Sequence, residues 1–281
     1  LAEGRIALSG HNARRFPYAY GGRHILHAAI SDDDGRTWCG YREVARDPKR
    51  ADPPPPAGDH GTGYPFAVAT ADDRVILSTG QSADRAHCAI VDPAWLYETD
   101  AEADMSPGSE QWATFGTQGV SLAAHPDDGT TYALRLTRPD PVWPAAAVWN
   151  FPALLRGMMR IRLRLDAGAV PVRLSLADHF SVPFDQEDEL YALFNLPMQR
   201  GGKLTAEDGL IADRWHALEL AWDCIGARAC SVRLDGRMIA QLPLLHVSEA
   251  GPCYLRLVAT GCGDAAVWVD QVNTFSNAGM Y

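Results

Sequence analysis

The sequence predicts an all-β protein, and three observations support that prediction. Short strand-like runs dominate the chain, such as RVILSTG, MRIRLRL and CSVRLDG. Turn-forming groups such as DDDG, DDG and LDG separate these runs. No long stretch keeps the 3.6-residue apolar period of an amphipathic helix.

Composition indicates an ordinary globular protein and argues against nucleic acid as a partner. The 281 residues are 47% hydrophobic and 21% charged, with a net charge of −10. An acidic surface repels phosphate backbones, and no cluster of basic residues offsets it. A membrane span needs about 20 apolar residues, whereas the longest apolar region, 142–155, is interrupted by Pro144, Asn150 and Pro152. We therefore expect no membrane span.

Strand spacing divides the chain into two predicted domains, at residues 1–105 and 109–281. Strands are short in the first, and a polar segment with Pro107 and Gly108 joins it to the second. In the second, 159–165 alternates apolar residues with arginines, as expected of a strand with one buried and one solvated face in an antiparallel sandwich.

The first residue is Leu, and no signal sequence follows it. We therefore expect a mature or internal fragment. An extracellular or periplasmic setting is the expectation that fits a disulfide. Of the six cysteines, Cys224 and Cys230 flank a short Gly-containing segment between two strand-like runs. A disulfide between them is one possibility, and two reduced, buried thiols are the other.

The stretch SDDDGRTW connects two predicted strands and has two interpretations. A calcium loop would need an oxygen ligand where Arg36 stands. In a tight turn, Ser31 and Asp33 would bind backbone N–H groups, Gly35 would supply a positive φ, and Trp38 would fold back over the turn. The turn is the better prediction, and the sequence offers no metal site.

The pattern S-x-D-x-G-x-T-W resembles the Asp box of the sialidase (neuraminidase) superfamily. In that family the box caps a hairpin in a β-propeller blade, away from the active site. The resemblance implies a structural role for Ser31, Asp33, Gly35 and Trp38. It also implies that residues 1–105 form the last blades of a six-bladed propeller, because so few strands cannot close one.

A second stretch, GTGYPFAVATADDRVILSTG, resembles the element that follows the last Asp box in sialidases. Tyr64 stands where the family has its catalytic nucleophile, and Arg23, in RHIL, matches an arginine that binds the substrate carboxylate. Arg14 and Arg15 are less well placed for that role. Sialidases are an exception to two-carboxylate glycoside hydrolysis because they use a Tyr nucleophile. The family's partner Glu, acid/base Asp and two further arginines match no motif here, so we expect this chain alone to be inactive.

The second domain resembles a concanavalin/laminin-G-like jelly roll. The segments that support this are VWNFP, RWHALELAWD, CSVRLDGRMIAQLP and CYLRLVATG. Such a fold says little about function. We expect most of its tryptophans to lie in the core and the acidic run 185–189, near Asp178 and His179, to be a solvated loop.

The resemblance implies an exo-sialidase-like glycoside hydrolase that cleaves terminal sialic acid or a related acidic sugar from glycoconjugates and needs no cofactor. One alternative is a non-catalytic carbohydrate-binding propeller with a lectin-like module, since Pro65 replaces the commoner Ser after the Tyr. Another is a hydrolase or lyase on the same scaffold that acts on a different acidic sugar.

Overall fold

The computed structural model describes residues 1–14, 21–50, 61–80 and 86–276, and these are almost entirely β. Four antiparallel sheets account for the strands. No helix in these residues is long and apolar enough to cross a membrane. The all-β prediction is confirmed.

The N-terminal part contains two three-stranded sheets, ordered β1-β2-β3 and β4-β5-β6. Their strands are β1 (Ile6–Gly10), β2 (Ile25–Ser31), β3 (Cys39–Arg46), β4 (Phe66–Ala69), β5 (Val75–Thr79) and β6 (His87–Val91). Every residue of the central strand β2 is buried, as its apolar composition predicts. One apolar cluster joins the two sheets, with members from β2, β3, β5, β6 and the short helix α1 (Pro93–Leu96). We call β1–β6 with α1 the N-terminal unit.

The remaining strands form two sheets packed face to face. One runs β17-β16-β15-β12-β19-β10-β9 with β7 on β19, and the other runs β14-β13-β18-β11-β8. Their bounds are β7 (Ala101–Glu102), β8 (Trp112–Ala113), β9 (Val120–Ala124), β10 (Tyr132–Arg138), β11 (Ala146–Asn150), β12 (Arg156–Leu165), β13 (Val172–Ala177), β14 (Phe194–Met198), β15 (Trp215–Asp223), β16 (Ala229–Leu234), β17 (Arg237–Pro243), β18 (Tyr254–Ala259) and β19 (Gly263–Ser276). We call β7–β19 the sandwich. Three 3₁₀ helices, Ala2–Gly4, Gly21–His24 and Asp188–Tyr191, complete the structure.

Strand β12 shows why the two sheets meet. Met159, Ile161 and Leu163 point into the core between the sheets and are almost fully buried. Arg160 and Arg162 face outward and pair with carboxylates of the neighbouring strands β15 and β19. The alternation predicted from the sequence is confirmed, and burial of the apolar face stabilises the sandwich.

The junction between the two predicted domains contains a small strand. Residues 101 and 102 form β7, which pairs with Asn273 and Thr274 of β19. This segment therefore hydrogen-bonds with the sandwich, although the sequence places it before the linker. The boundaries at 105 and 109 remain a prediction.

The N-terminal unit and the sandwich share a buried interface with hydrogen bonds across it. The Asn150 side chain accepts from the Glu43 backbone N–H and donates to the Tyr41 carbonyl, at 3.0 and 3.1 Å. The Phe180 N–H donates to the Asn12 carbonyl at 2.6 Å. Because buried polar groups are costly without partners, these bonds fix how the two units meet.

Candidate functional site

The candidate site is built around Arg23, which lies in the 3₁₀ helix Gly21–His24 immediately before β2. The Arg23 carbonyl accepts two hydrogen bonds from Thr62, one from its backbone N–H at 2.7 Å and one from its hydroxyl at 2.8 Å. These bonds dock the segment 61–64 onto Arg23, although 39 positions separate Arg23 from Thr62.

Gly61 makes this close approach possible. Its φ is +90°, and a Cβ built there would lie 2.4 Å from the Arg23 carbonyl oxygen. Only glycine tolerates both the conformation and the contact. On the other side of the segment, the Thr79 hydroxyl donates to the Gly63 carbonyl at 3.3 Å, so the segment is also tied to the end of β5.

Tyr64 follows this docked segment and stands beside Arg23. The guanidinium carbon of Arg23 lies 5.6 Å from the centroid of the Tyr64 ring, a cation–π geometry. The Tyr64 side chain is 61% exposed and its φ is +52°. A positive φ is uncommon for a bulky residue and marks local strain, which Tyr41 shares. The structure thus places side by side the two residues that the resemblance assigns to one substrate.

His11 lies in the same place, and the sequence analysis missed it. Its Nε2 is 3.1 Å from the Thr62 hydroxyl. Burial lowers the pKa of His11, and the positive charge of Arg23 acts in the same direction. His11 follows β1, whose last residue Gly10 pairs with His27 near the start of β2. This strand pairing brings His11 near Arg23, so no local sequence motif could have predicted the position of His11.

Arg14, one of the two other arginines considered for the carboxylate, has its partner elsewhere. Arg14 forms an ion pair with Asp178 of the sandwich, at 3.1 Å between Nη2 and Oδ2. Arg15 lies outside the described residues.

The turn at 31–38 lies at the other end of β2. Ser31 Oγ accepts from the N–H of Gly35 at 2.9 Å, and Asp33 accepts from the N–H and the hydroxyl of Thr37 at 2.8 and 2.7 Å. Gly35 has φ +80°, and the Trp38 indole N–H donates to its carbonyl at 3.0 Å. Strand β2 spans roughly 20 Å at about 3.3 Å per residue. The turn is therefore far from Arg23 and Tyr64, and the side-chain oxygens of Ser31 and Asp33 bind groups of the turn itself.

Cys224 and Cys230 are both free, buried thiols in the structure, so the disulfide considered from the sequence is not formed there. They lie in the hairpin of β15 and β16, where Cys230 pairs with Trp222. Burial raises the pKa of each thiol to about 12. Such thiols are mostly protonated at neutral pH and react slowly.

The acidic segment after β13 is only partly the solvated loop that the sequence predicted: Glu187 is exposed, but two of its acids are not. Asp185 and Asp188 are buried, as are Asp178 and His179. The His179 Nδ1 is 2.8 Å from Asp178 Oδ1, and Arg256 donates to the Asp185 carbonyl at 2.5 Å. The prediction failed for the buried acids because the arginine that holds this loop down comes from β18, far along the chain. Among the described residues, no cluster of His, Cys, Asp and Glu could hold a metal ion.

The tryptophans of the sandwich mostly follow the prediction. Trp149, Trp222 and Trp268 are buried. Trp215 packs on His125 with ring centroids 5.0 Å apart, whereas Trp143 is 47% exposed. Most of these tryptophan rings therefore pack in the core.

Comparison with known proteins relates this geometry to other folds. No protein-family model and no curated protein sequence matches the chain. A solved structure described as a sialidase matches with a TM-score of 0.50 and 15% identity, over 99% of this chain and 28% of that one. The carbohydrate recognition domain of Emp47p matches with a TM-score of 0.44 and 10% identity, over 61% of this chain and 90% of that one. A Bacteroides ovatus GH16 protein matches with a TM-score of 0.43 and 12% identity, over 62% of this chain and 99% of that one.

The chain thus shares its fold with part of a sialidase and spans 28% of that protein's length. At 15% identity the likeness concerns the fold and not the chemistry. The assignment of the two three-stranded sheets to propeller blades, and of residues 31–38 to an Asp box, remains a prediction from the sequence.

Proposed function

We propose that this chain supplies part of a sialidase-like active site, in which Arg23 binds the substrate carboxylate and Tyr64 is the nucleophile. The observation that supports the proposal is the placement of the Arg23 guanidinium over the ring of an exposed, conformationally strained Tyr64. Because the chain spans 28% of the matching sialidase, the activity and substrate of the whole protein are part of the proposal.

The chemistry suits a sugar whose anomeric carbon bears a carboxylate. The planar guanidinium of Arg23 offers two parallel N–H donors that match the two carboxylate oxygens. A phenol approaches the anomeric carbon without the repulsion that a carboxylate nucleophile would meet. The Tyr64 oxygen bonds to that carbon as the glycosidic C–O bond breaks. The phenol proton passes to a base, and an acid protonates the departing oxygen.

The base and the acid are proposed to be a Glu and an Asp outside these 281 residues, since neither matches a motif here. The partner would be a sialoglycoconjugate or a related glycan, in an extracellular or periplasmic setting. His11 would help to hold the segment 61–64 in place through Thr62.

The test is hydrolysis of a fluorogenic α-sialoside by the longest form of the protein that contains this chain. We expect Tyr64→Phe to reduce turnover by several orders of magnitude while the fold is kept, because the variant lacks only the attacking oxygen. Tyr132→Phe is the matched control, since Tyr132 is also exposed but lies on β10 of the sandwich. Equal rates in wild type and Tyr64→Phe would exclude Tyr64 as the nucleophile.

Two alternatives have distinct outcomes in the same assay. A protein that binds glycans but turns over no glycoside would be the binding propeller with a lectin-like module, which Pro65 after Tyr64 favours. A protein that is inert toward sialosides but cleaves uronides, with loss in Tyr64→Phe, would be a hydrolase or lyase for another acidic sugar, which Arg23 would also suit.

A further inference from the structure

A polar cleft, separate from the Arg23–Tyr64 site, lies where the N-terminal unit meets the sandwich. Its volume is about 240 Å³, and its walls come from β3, α1, β7, β11 and the segment before β8. It is smaller than the roughly 300–1,000 Å³ of pockets that enclose a drug-sized ligand, which suits a single sugar ring. None of its lining residues belongs to the Arg23–Tyr64 site.

Part of the lining is satisfied internally and forms a fixed wall. Arg46 donates to Glu43 Oε2 at 2.7 Å, and the Tyr254 hydroxyl donates to Glu43 Oε1 at 2.7 Å. The Glu43 side chain is only 3% exposed, so its charge is neutralised within the wall. The Asn150 amide is likewise committed to backbone groups. These residues shape the cleft but have little capacity left for a ligand.

Two other groups of the lining, Glu102 and Gln111, have unused hydrogen-bonding capacity. The Arg42 guanidinium belongs instead to the fixed wall: it is stacked on Trp95 at 4.2 Å and forms an ion pair with Glu98 at 3.6 Å through its buried Nη1. Within residues 1–14, 21–50, 61–80 and 86–276, the exposed Glu102 carboxylate has no ion pair, and the Gln111 amide nitrogen has no partner. The Gln111 carbonyl is already used, by Asp104 and Trp149.

We propose that this cleft binds a neutral pyranose. The Gln111 amide nitrogen offers a donor, and Glu102 offers an acceptor. Sugar hydroxyls both donate and accept, so adjacent hydroxyls satisfy such a mixed set. Arg46 is paired with Glu43 and Arg42 with Glu98, so the unpaired Glu102 leaves the lining with no excess positive charge to attract an anion. The cleft therefore differs in specificity from the Arg23–Tyr64 site, which is proposed for an acidic sugar.

The experiment measures binding of three neutral probes, the methyl pyranosides of glucose, galactose and mannose, by saturation-transfer NMR and calorimetry. We expect at least one to bind with a Kd on the order of 1 mM, the weak affinity of a small site with few polar contacts. Glu102→Gln should weaken binding about tenfold, because a charged hydrogen-bond acceptor becomes neutral. Glu207→Gln, an exposed glutamate of the sandwich, is the matched control and should bind as wild type does.

A second variant tests binding in the same cleft independently of Glu102. Gln111→Glu keeps the oxygen that Asp104 and Trp149 use and removes the amide donor, so it too should weaken binding. Tyr64→Phe should leave binding unchanged, which separates this cleft from the proposed active site. The proposal is overturned if none of the three probes binds, if Glu102→Gln and Gln111→Glu bind as wild type does, or if glucuronate binds more tightly than every neutral probe.

Discussion

Asp33 organises the turn between β2 and β3. Its carboxylate accepts from the backbone N–H groups of Arg36 and Thr37 and from the hydroxyls of Ser31 and Thr37. These bonds, those of Thr37 foremost, hold the pKa of Asp33 at about 2, below its ordinary value of 3.8. The ionised carboxylate is therefore the form that the folded turn needs.

Replacement of Asp33 by Asn should lower the thermal unfolding midpoint, because a neutral amide accepts these bonds less well. Asp34→Asn is the matched control: Asp34 has φ +57°, which Asn tolerates, and its side chain has no partner among the described residues. The stability that wild type owes to Asp33 is present above pH 3.8 and is lost as the pH falls toward 2. Thermal scans from pH 7 to 2 measure both effects, and equal midpoints for the two variants would contradict this role.

At the scale of elements, close packing against the residues before β2 holds the segment 61–64 in position. Gly61→Ala should destabilise the fold, because the new Cβ would clash with the Arg23 carbonyl and the alanine would have to adopt a positive φ. Gly108→Ala is the control for the φ effect alone, since Gly108 has φ +79° and open space around it. The positive φ costs about 1–2 kcal/mol in either variant. Chemical denaturation should show the larger loss for Gly61→Ala, and equal losses would mean that the close contact does not matter.

For the whole molecule, a hydrogen-bonded chain crosses the interface of the two units. The Asn12 N–H donates to His27 Nδ1 at 3.2 Å, so Nε2 carries the ring proton and donates to the Tyr254 oxygen at 2.5 Å. Tyr254 in turn donates to Glu43, which Arg46 neutralises. Burial above all, and then the charge of His11, lowers the pKa of His27 to about 3. The interface thus requires a neutral His27.

The free energy of unfolding should therefore fall as the pH drops. Stability from neutral His27 is complete above pH 6.5 and is lost progressively toward pH 3, since the unfolded chain binds a proton that the folded one excludes. One such proton contributes a slope of up to about 1.4 kcal/mol per pH unit. His27→Gln keeps a donor for Tyr254 but cannot titrate, so denaturation from pH 7 to 4 should show a shallower slope. An unchanged slope would show that His27 does not control the interface.

Local sequence patterns determined the features that depend only on residues close together in the chain. The alternation in β12 fixed which face is buried, and Asp33 and Gly35 fixed the turn, because both depend on residues a few positions apart. The resemblance to sialidases singled out Arg23 and Tyr64, each in its own short motif. It implied that both would face one substrate, but it gave no sign that Thr62 would be the residue that docks the segment of Tyr64 onto Arg23.

Tertiary structure alone decided the features that need partners from distant segments. His11 joins Arg23 only through the pairing of β1 with β2, and Asp185 is buried only because Arg256 comes from β18. The cleft with Arg42 and Glu102 exists only where the two units meet. The sequence by itself determined the all-β class, the buried faces and the turns, since periodicity and turn chemistry act over a few residues. It did not determine which surface covers each face or which side chains meet there, because burial and electrostatic pairing depend on distance in space and not on distance along the chain.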